Sequence, residues 1–222
     1  MERARVSTVN DYFAEPFLIK WYRKNGFEEA DIITKEAAAV GSAIDAHIQN
    51  DVWGEERVKV ECPKKLEQKY LNCVAGWEKF KLEHPEELQN IREFRVNMQR
   101  EIEMDNLVGH PDWFSHTKLL DFKNASSEKW PLQVKKGYRI QTSIYTKVLN
   151  TKYGTRIATN GVVVLDRHVA GNYLFVEWGE PFITFWQRKF EARYECFRED
   201  AEFNEMVRDK RESEILGVSD VL

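Results

Sequence analysis

The feature that most constrains this chain is Gly109-His110-Pro111-Asp112, eight further residues, and then Asp121-Phe122-Lys123. In an extended strand, residues two apart project to the same face. Asp121 and Lys123 therefore point together, and Leu120 and Phe122 point to the opposite, core-facing side. Asp112 falls on the preceding strand, where pairing can set it against them. The pattern thus asks for two neighbouring strands that bring two carboxylates and one amine together.

Two carboxylates converging on one point repel each other unless a cation is present. Oxygen ligands suit Mg²⁺ or Mn²⁺, and the backbone carbonyl of Phe122 is a further oxygen donor. Such an ion lowers the pKa of bound water and stabilises charge on a phosphate. Lys123 is a point charge with three donors, suited to positioning that water and a phosphate oxygen. The competing reading is a surface hairpin with an ordinary Asp–Lys pair.

Around this core the hydrophobic period changes several times. Residues 8–25 read as an opening helix with Phe13, Phe17, Trp21 and Tyr22, closed by Gly26. Thr34 reads as the cap of a helix over about 35–50, with Val40, Ile44, His47 and Ile48 on one side. Another helix begins at Pro63 and carries Leu66, Tyr70, Cys73, Val74 and Trp77. Phe94, Val96 and Met98, then Ile102 and Met104, alternate as in a strand broken at Arg100. Asp105-Asn106 reads as a turn into a strand near 107–114, and a third strand spans Lys118–Lys123. A helix over about 135–150, strands at Gly161–Asp166 and Tyr173–Trp178, and a helix over about 182–213 complete the chain. Phe182, Trp186, Phe190, Tyr194 and Phe197 form the apolar face of that last helix. The order predicts one α/β domain over residues 1–222 with a mixed central sheet flanked by helices.

Several residues near the two acids admit a bland and a chemical reading. His47 shares the inward face of Val40 and Ile44, so it is either a core histidine or, if its helix abuts the carboxylates, a metal ligand. Gln141 and Tyr145 are four apart and stack on one helix face, either for packing or to set an amide and a phenol beside the metal. Glu101 and Glu103 either add a carboxylate or decorate an edge strand. His110 shares strand parity with Asp112. The segment Lys129, Trp130, Lys135, Lys136, Tyr138 and Arg139 mixes basic and aromatic side chains. That mixture suits a surface that tracks a DNA backbone and stacks bases, or a solvated loop leading into a helix.

Bulk composition excludes more than it selects. With 222 residues, 42% hydrophobic and 32% charged, the chain reads as globular rather than disordered. No apolar run reaches a membrane span or a signal peptide, so the expectation is an intracellular, cytoplasmic protein, in the host cell if viral. Cys62, Cys73 and Cys196 show no CxxC spacing and read as reduced packing thiols rather than a zinc or iron–sulfur site. The net charge of −4 does not advertise nucleic-acid binding, but a bound cation and a local basic strip can meet a phosphate backbone.

Taken together, a glycine-led helix ending in histidine (Gly41 to His47), Gly-x-x-Asp (Gly109 to Asp112), Asp-x-Lys (Asp121 to Lys123) and Gln-x-x-x-Tyr (Gln141 to Tyr145) resemble the PD-(D/E)XK nuclease superfamily. Within it they resemble the RecB-like and phage-type exonuclease branch. The resemblance covers about residues 41–145. It implies a restriction-endonuclease-like core and a Mg²⁺- or Mn²⁺-dependent deoxyribonuclease, an exonuclease of phage-type recombination, repair or genome processing. By resemblance His47, Asp112 and Asp121 bind the metal, with Glu101 less firmly pinned. Lys123 assists the attacking water, and Gln141 and Tyr145 line the active site. DNA is the implied partner, with a homo-oligomeric ring or a recombination or replication protein as further partners. Two alternatives stay open: a structure-selective endonuclease, and a non-catalytic DNA-binding or assembly protein on the same fold.

Overall fold

A computed structural model describes residues 4–11, 26–104, 107–127 and 136–215. Its centre is a four-stranded mixed sheet in the order β4-β5-β6-β7, formed by Trp113–Phe114, Lys118–Ala125, Thr159–Asp166 and Tyr173–Gly179. β5 and β6 run parallel, with Asp121 beside Val162 and Lys123 beside Val164. β4 and β7 pair antiparallel on the outside. β6 (TNGVVVLD) is buried almost throughout, as expected for a strand covered on both faces. A second, three-stranded sheet in the order β1-β3-β2 is built from Ala4–Arg5, Leu107–Gly109 and Ile102–Met104.

Helices cover both faces of the central sheet. On one side lie α2 (Phe27–Trp53) and α3 (Glu67–Glu83). Val40, Ile44, Trp77 and Phe80 from these helices pack on Leu120, Phe122, Val163 and Leu165. On the other side lie α5 (Lys136–Lys152) and α6 (Phe182–Ile215), with Ile140, Ile144, Tyr145, Leu149 and Phe190 against Leu119. The short α1 (Val6–Asp11) joins this second core through Val6 and Val9. The mixed α/β architecture with flanking helices is therefore as expected.

Several expectations need correction. The alternation at Phe94, Val96 and Met98 is not a strand. It follows α4 (Pro85–Glu93) as a tight turn over Arg95–Asn97, closed by Asn97 N–H to the Phe94 carbonyl (3.0 Å) and Met98 N–H to the Arg95 carbonyl (3.0 Å). Phe94 and Met98 still reach the core, which is why the period looked right. Thr34 lies inside α2, where its hydroxyl donates back to the Ala30 carbonyl (2.8 Å). The expected strand 107–114 is split between two sheets at His110–Asp112, where Pro111 has no N–H to give a ladder. Phe182 is exposed, and Ile183 is the buried residue at the start of α6.

Most of the expected 8–25 helix, the 105–106 turn, and Lys129, Trp130 and Lys135 lie outside the described residues. Among those described, all three cysteines are free, and Cys196 is exposed rather than packed. No described helix is long and apolar enough to cross a membrane.

Candidate active site

The site forms where β4 stops covering β5. Only Trp113 and Phe114 pair with β5, opposite Leu120 and Leu119. Beyond them no described strand pairs with that edge of β5, and the Asp112 side chain takes over. Its Oδ2 accepts the Phe122 N–H at 2.6 Å, a carboxylate standing in for a strand. A strand residue's N–H and C=O leave by the same edge, so the Phe122 carbonyl also faces this opening.

Asp121 and Lys123 project side by side, as their parity requires. The Lys123 ammonium lies 2.7 Å from Asp121 Oδ2 and 3.7 Å from Asp112 Oδ2. Asp121 is 1% exposed, which removes the surface-hairpin reading. Among the described residues the Lys123 ammonium is the close partner of this carboxyl group. Burial pushes the Asp121 carboxyl up to about 8; Lys123 opposes this and Asp112 adds to it. Burial alone would lower Lys123, but Asp121 and Asp112 outweigh it, and the ammonium is held above its usual range. Lys123 stays charged at neutral pH and is a donor, not a base. The Tyr138 ring lies 5.6 Å from its Nζ.

α2 brings an unexpected third acid. Burial pushes half-buried Asp45 up to about 7, with Asp112 reinforcing the shift and Lys123 opposing it. The helix is held close to β5 at Gly41, where a Cβ would lie 2.9 Å from Asn124 Nδ2. Asp45 is one turn further along that face.

His47, expected in the metal shell, is placed elsewhere. Two residues beyond Asp45 is about 200° around a helix. Its Nδ1 is 3.1 Å from the Tyr70 hydroxyl, and Asp51, Glu78 and Lys81 are the charges it feels. Burial, the largest influence, holds its ring below the usual value. Of the two residues, Asp45 is the one that feels Asp112 and Lys123. The signal was available in the four-residue step from Gly41 to Asp45.

Gln141 and Tyr145 lie together on α5, and Tyr145 is near enough to feel Asp121, Lys123 and Asp112. Gln141 Nε2 donates to the Tyr145 hydroxyl at 2.9 Å. Burial pushes the phenol up to about 12; Asp121 and Asp112 add to this, while Gln141 and Lys123 oppose it. The phenol therefore keeps its proton and, already accepting from Gln141, is set to donate it. Gly109 makes room for this ring: a Cβ there would collide with Tyr145 Cε1.

Glu101 pairs with His110, Oε2 to Nε2 at 3.3 Å, and both are exposed. No contact links Glu101 to Asp112 or Asp121. In the basic-aromatic segment, Lys136 is exposed at the start of α5, and the Arg139 guanidinium lies 5.5 Å from the Trp178 ring. Gln99, unremarked in the sequence, donates from Nε2 to Asp112 Oδ1 at 2.9 Å.

Among the described residues, no three His, Cys, Asp or Glu side chains already form a metal-ligating group. The donor chemistry nevertheless suits a hard divalent cation. Asp121 has two buried oxygens without a regular hydrogen bond among the described residues, Asp112 and Asp45 supply more, and their mutual repulsion is what a cation relieves.

No protein-family model matches the chain, and no curated protein matches it. Among solved structures it is similar to an alkaline exonuclease from Laribacter hongkongensis, at 12% identity over 90% of this chain and 93% of that one, with a TM-score of 0.37. It is also similar to a phage-related exonuclease from Haemophilus somnus 129PT, at 14% identity over 92% and 96%, with a TM-score of 0.39.

Proposed function

We propose that this chain is a divalent-metal-dependent deoxyribonuclease, acting as an exonuclease in phage-type recombination, repair or genome processing. The observation that carries the reading is the half-buried Lys123 ammonium at an open strand edge. It is shared by Asp121 and Asp112, and among the described residues the Asp121 oxygens have no regular hydrogen bond. A structural ion pair is normally completed by hydrogen bonds to its remaining lone pairs. This one is left incomplete on the side where β5 is uncovered.

Asp121, Asp112, Asp45 and the Phe122 carbonyl would hold Mg²⁺ or Mn²⁺. When bound, the ion supplies a more acidic water and neutralises charge on the phosphate. Lys123 is charged throughout the neutral range and donates to a non-bridging phosphate oxygen, or orients the attacking water. Tyr145, protonated and oriented by Gln141, donates a second hydrogen bond to the phosphate. Lys136, Tyr138 and Arg139 at the start of α5 line the approach of the DNA.

The test is cleavage with Mg²⁺ or Mn²⁺ of linear duplex, linear single strands and covalently closed circles. Loss of linear DNA alone, abolished in Asp121→Asn and Lys123→Ala proteins that remain folded, supports the exonuclease reading. Cutting of closed circles replaces it with an endonuclease. Binding without cleavage of any substrate contradicts the catalytic assignment.

A further inference from the structure

Asp112 is held by more than its own strand. Gln99 contacts it twice: its backbone N–H donates to the Asp112 carbonyl at 3.1 Å, and its side-chain amide donates to Asp112 Oδ1 at 2.9 Å. The other oxygen, Oδ2, accepts the Phe122 N–H. Both oxygens of the carboxylate are therefore fixed, and its rotation is locked. A carboxylate has about four lone-pair sites, so acceptor capacity remains for a cation.

Gln99 does this from an unfavourable backbone conformation. Its φ is +50°, and it is the non-glycine residue found in the left-handed region among those described. Bulky non-glycine residues rarely adopt it, and such strain persists where the surrounding structure imposes it. Glycine would adopt the conformation freely but has no amide to give. The residue type at 99 thus follows the contact to Asp112 rather than the ease of the turn.

We propose that Gln99 is a positioning residue that sets the Asp112 carboxylate for the divalent cation. The inference rests on the metal-dependent reading above. An ionised carboxylate only accepts, so the amide must present its NH₂ group, and a glutamate of equal length cannot replace it. Nearby Asn97 provides the contrast. Its Nδ2 donates to the Phe114 carbonyl at 3.0 Å, clamping the same strand without touching the carboxylate.

The experiment is calorimetric titration with Mn²⁺ in the absence of DNA, beside thermal unfolding, for the parent, Gln99→Gly, Gln99→Glu and Asn97→Ala. Gln99→Gly is expected to unfold no earlier than the parent while its Mn²⁺ dissociation constant rises about tenfold, the scale of losing an outer partner of a ligand. Gln99→Glu, which keeps the side-chain length, is expected to lose at least as much. Asn97→Ala is expected to unfold earlier with parental Mn²⁺ affinity. Parental affinity in both Gln99 variants overturns the inference, as does an equal loss in Asn97→Ala, which would reduce Gln99 to a structural clamp. A parent that binds no Mn²⁺ overturns the metal reading itself, and this inference with it.

Discussion

Strand β5 carries two half-buried lysines, one at its first residue and one toward its other end, and each meets two acids. Lys118 pairs with Glu87 from α4 and, at 2.8 Å, with Glu177 from β7. Lys123 pairs with Asp121 from its own strand and Asp112 from the preceding segment. Burial works against both ammonium groups, and in both the neighbouring carboxylates reverse it. The acids differ. Around Lys118 they come from separate elements and tie a helix and an outer strand to the sheet. Around Lys123 one acid is fully enclosed and pushed up to about 8, and a third, Asp45, is pushed up to about 7. One lysine completes a staple; the other is too little positive charge for the acids gathered around it.

Neutralising the central acid gives the largest contrast. Asp121→Asn keeps the shape and removes the buried carboxyl group. It is expected to lower DNA cleavage at least 100-fold, on the order of losing a major electrostatic contact in a reaction, while metal-free thermal stability holds or rises. Lys118→Met should do the reverse, costing about 2 kcal/mol in denaturant unfolding with cleavage unchanged, since the pair is partly buried. Equal effects of both changes on cleavage would erase the distinction.

Next in size is the pairing of Asp45 with His47. Asp45→Asn is expected to weaken Mn²⁺ binding about tenfold. His47→Ala should leave binding alone and cost about 1 kcal/mol from the lost Tyr70 hydrogen bond. The opposite result would restore the histidine as ligand. Gly109→Ala should then cost about 1–3 kcal/mol and lower activity, because its methyl displaces the Tyr145 ring.

The pH dependence is subtler. Asp45 and Asp121 are raised in the folded chain, so between the ordinary carboxylate range and about 7 to 8 the unfolded chain has ionised these acids while the folded chain has not. The metal-free protein therefore loses stability as pH rises through that window and levels off above it. Unfolding temperatures from pH 5 to 9 should show this decline, and Mn²⁺ should stabilise more at pH 8 than at pH 6. In Asp121→Asn both trends should shrink.

Much of this was legible in the chain. The alternation of Leu120, Asp121, Phe122 and Lys123 fixes which side chains share a face, and the apolar run Val162–Leu165 marks a strand buried on both sides. Gln141 and Tyr145 fall together because four residues is one helical turn. What was not legible depends on where elements meet. Helical spacing put His47 with Val40 and Ile44, but the side of α2 that passes the strand edge is set by the Gly41 contact with Asn124. Phe94, Val96 and Met98 alternate as a strand does, yet hydrogen bonds within the turn claim their backbone. Nothing local marks Gln99, whose conformation is imposed by Asp112 ten and more residues away.

The most direct measurement is Mn²⁺ titration by calorimetry on the parent, Asp121→Asn and Lys118→Met proteins at pH 8. Saturable binding in the parent and in Lys118→Met, with loss in Asp121→Asn, is the predicted result. Absence of binding in the parent, or retained binding in Asp121→Asn, would contradict the assignment of this strand edge as a metal-dependent catalytic centre.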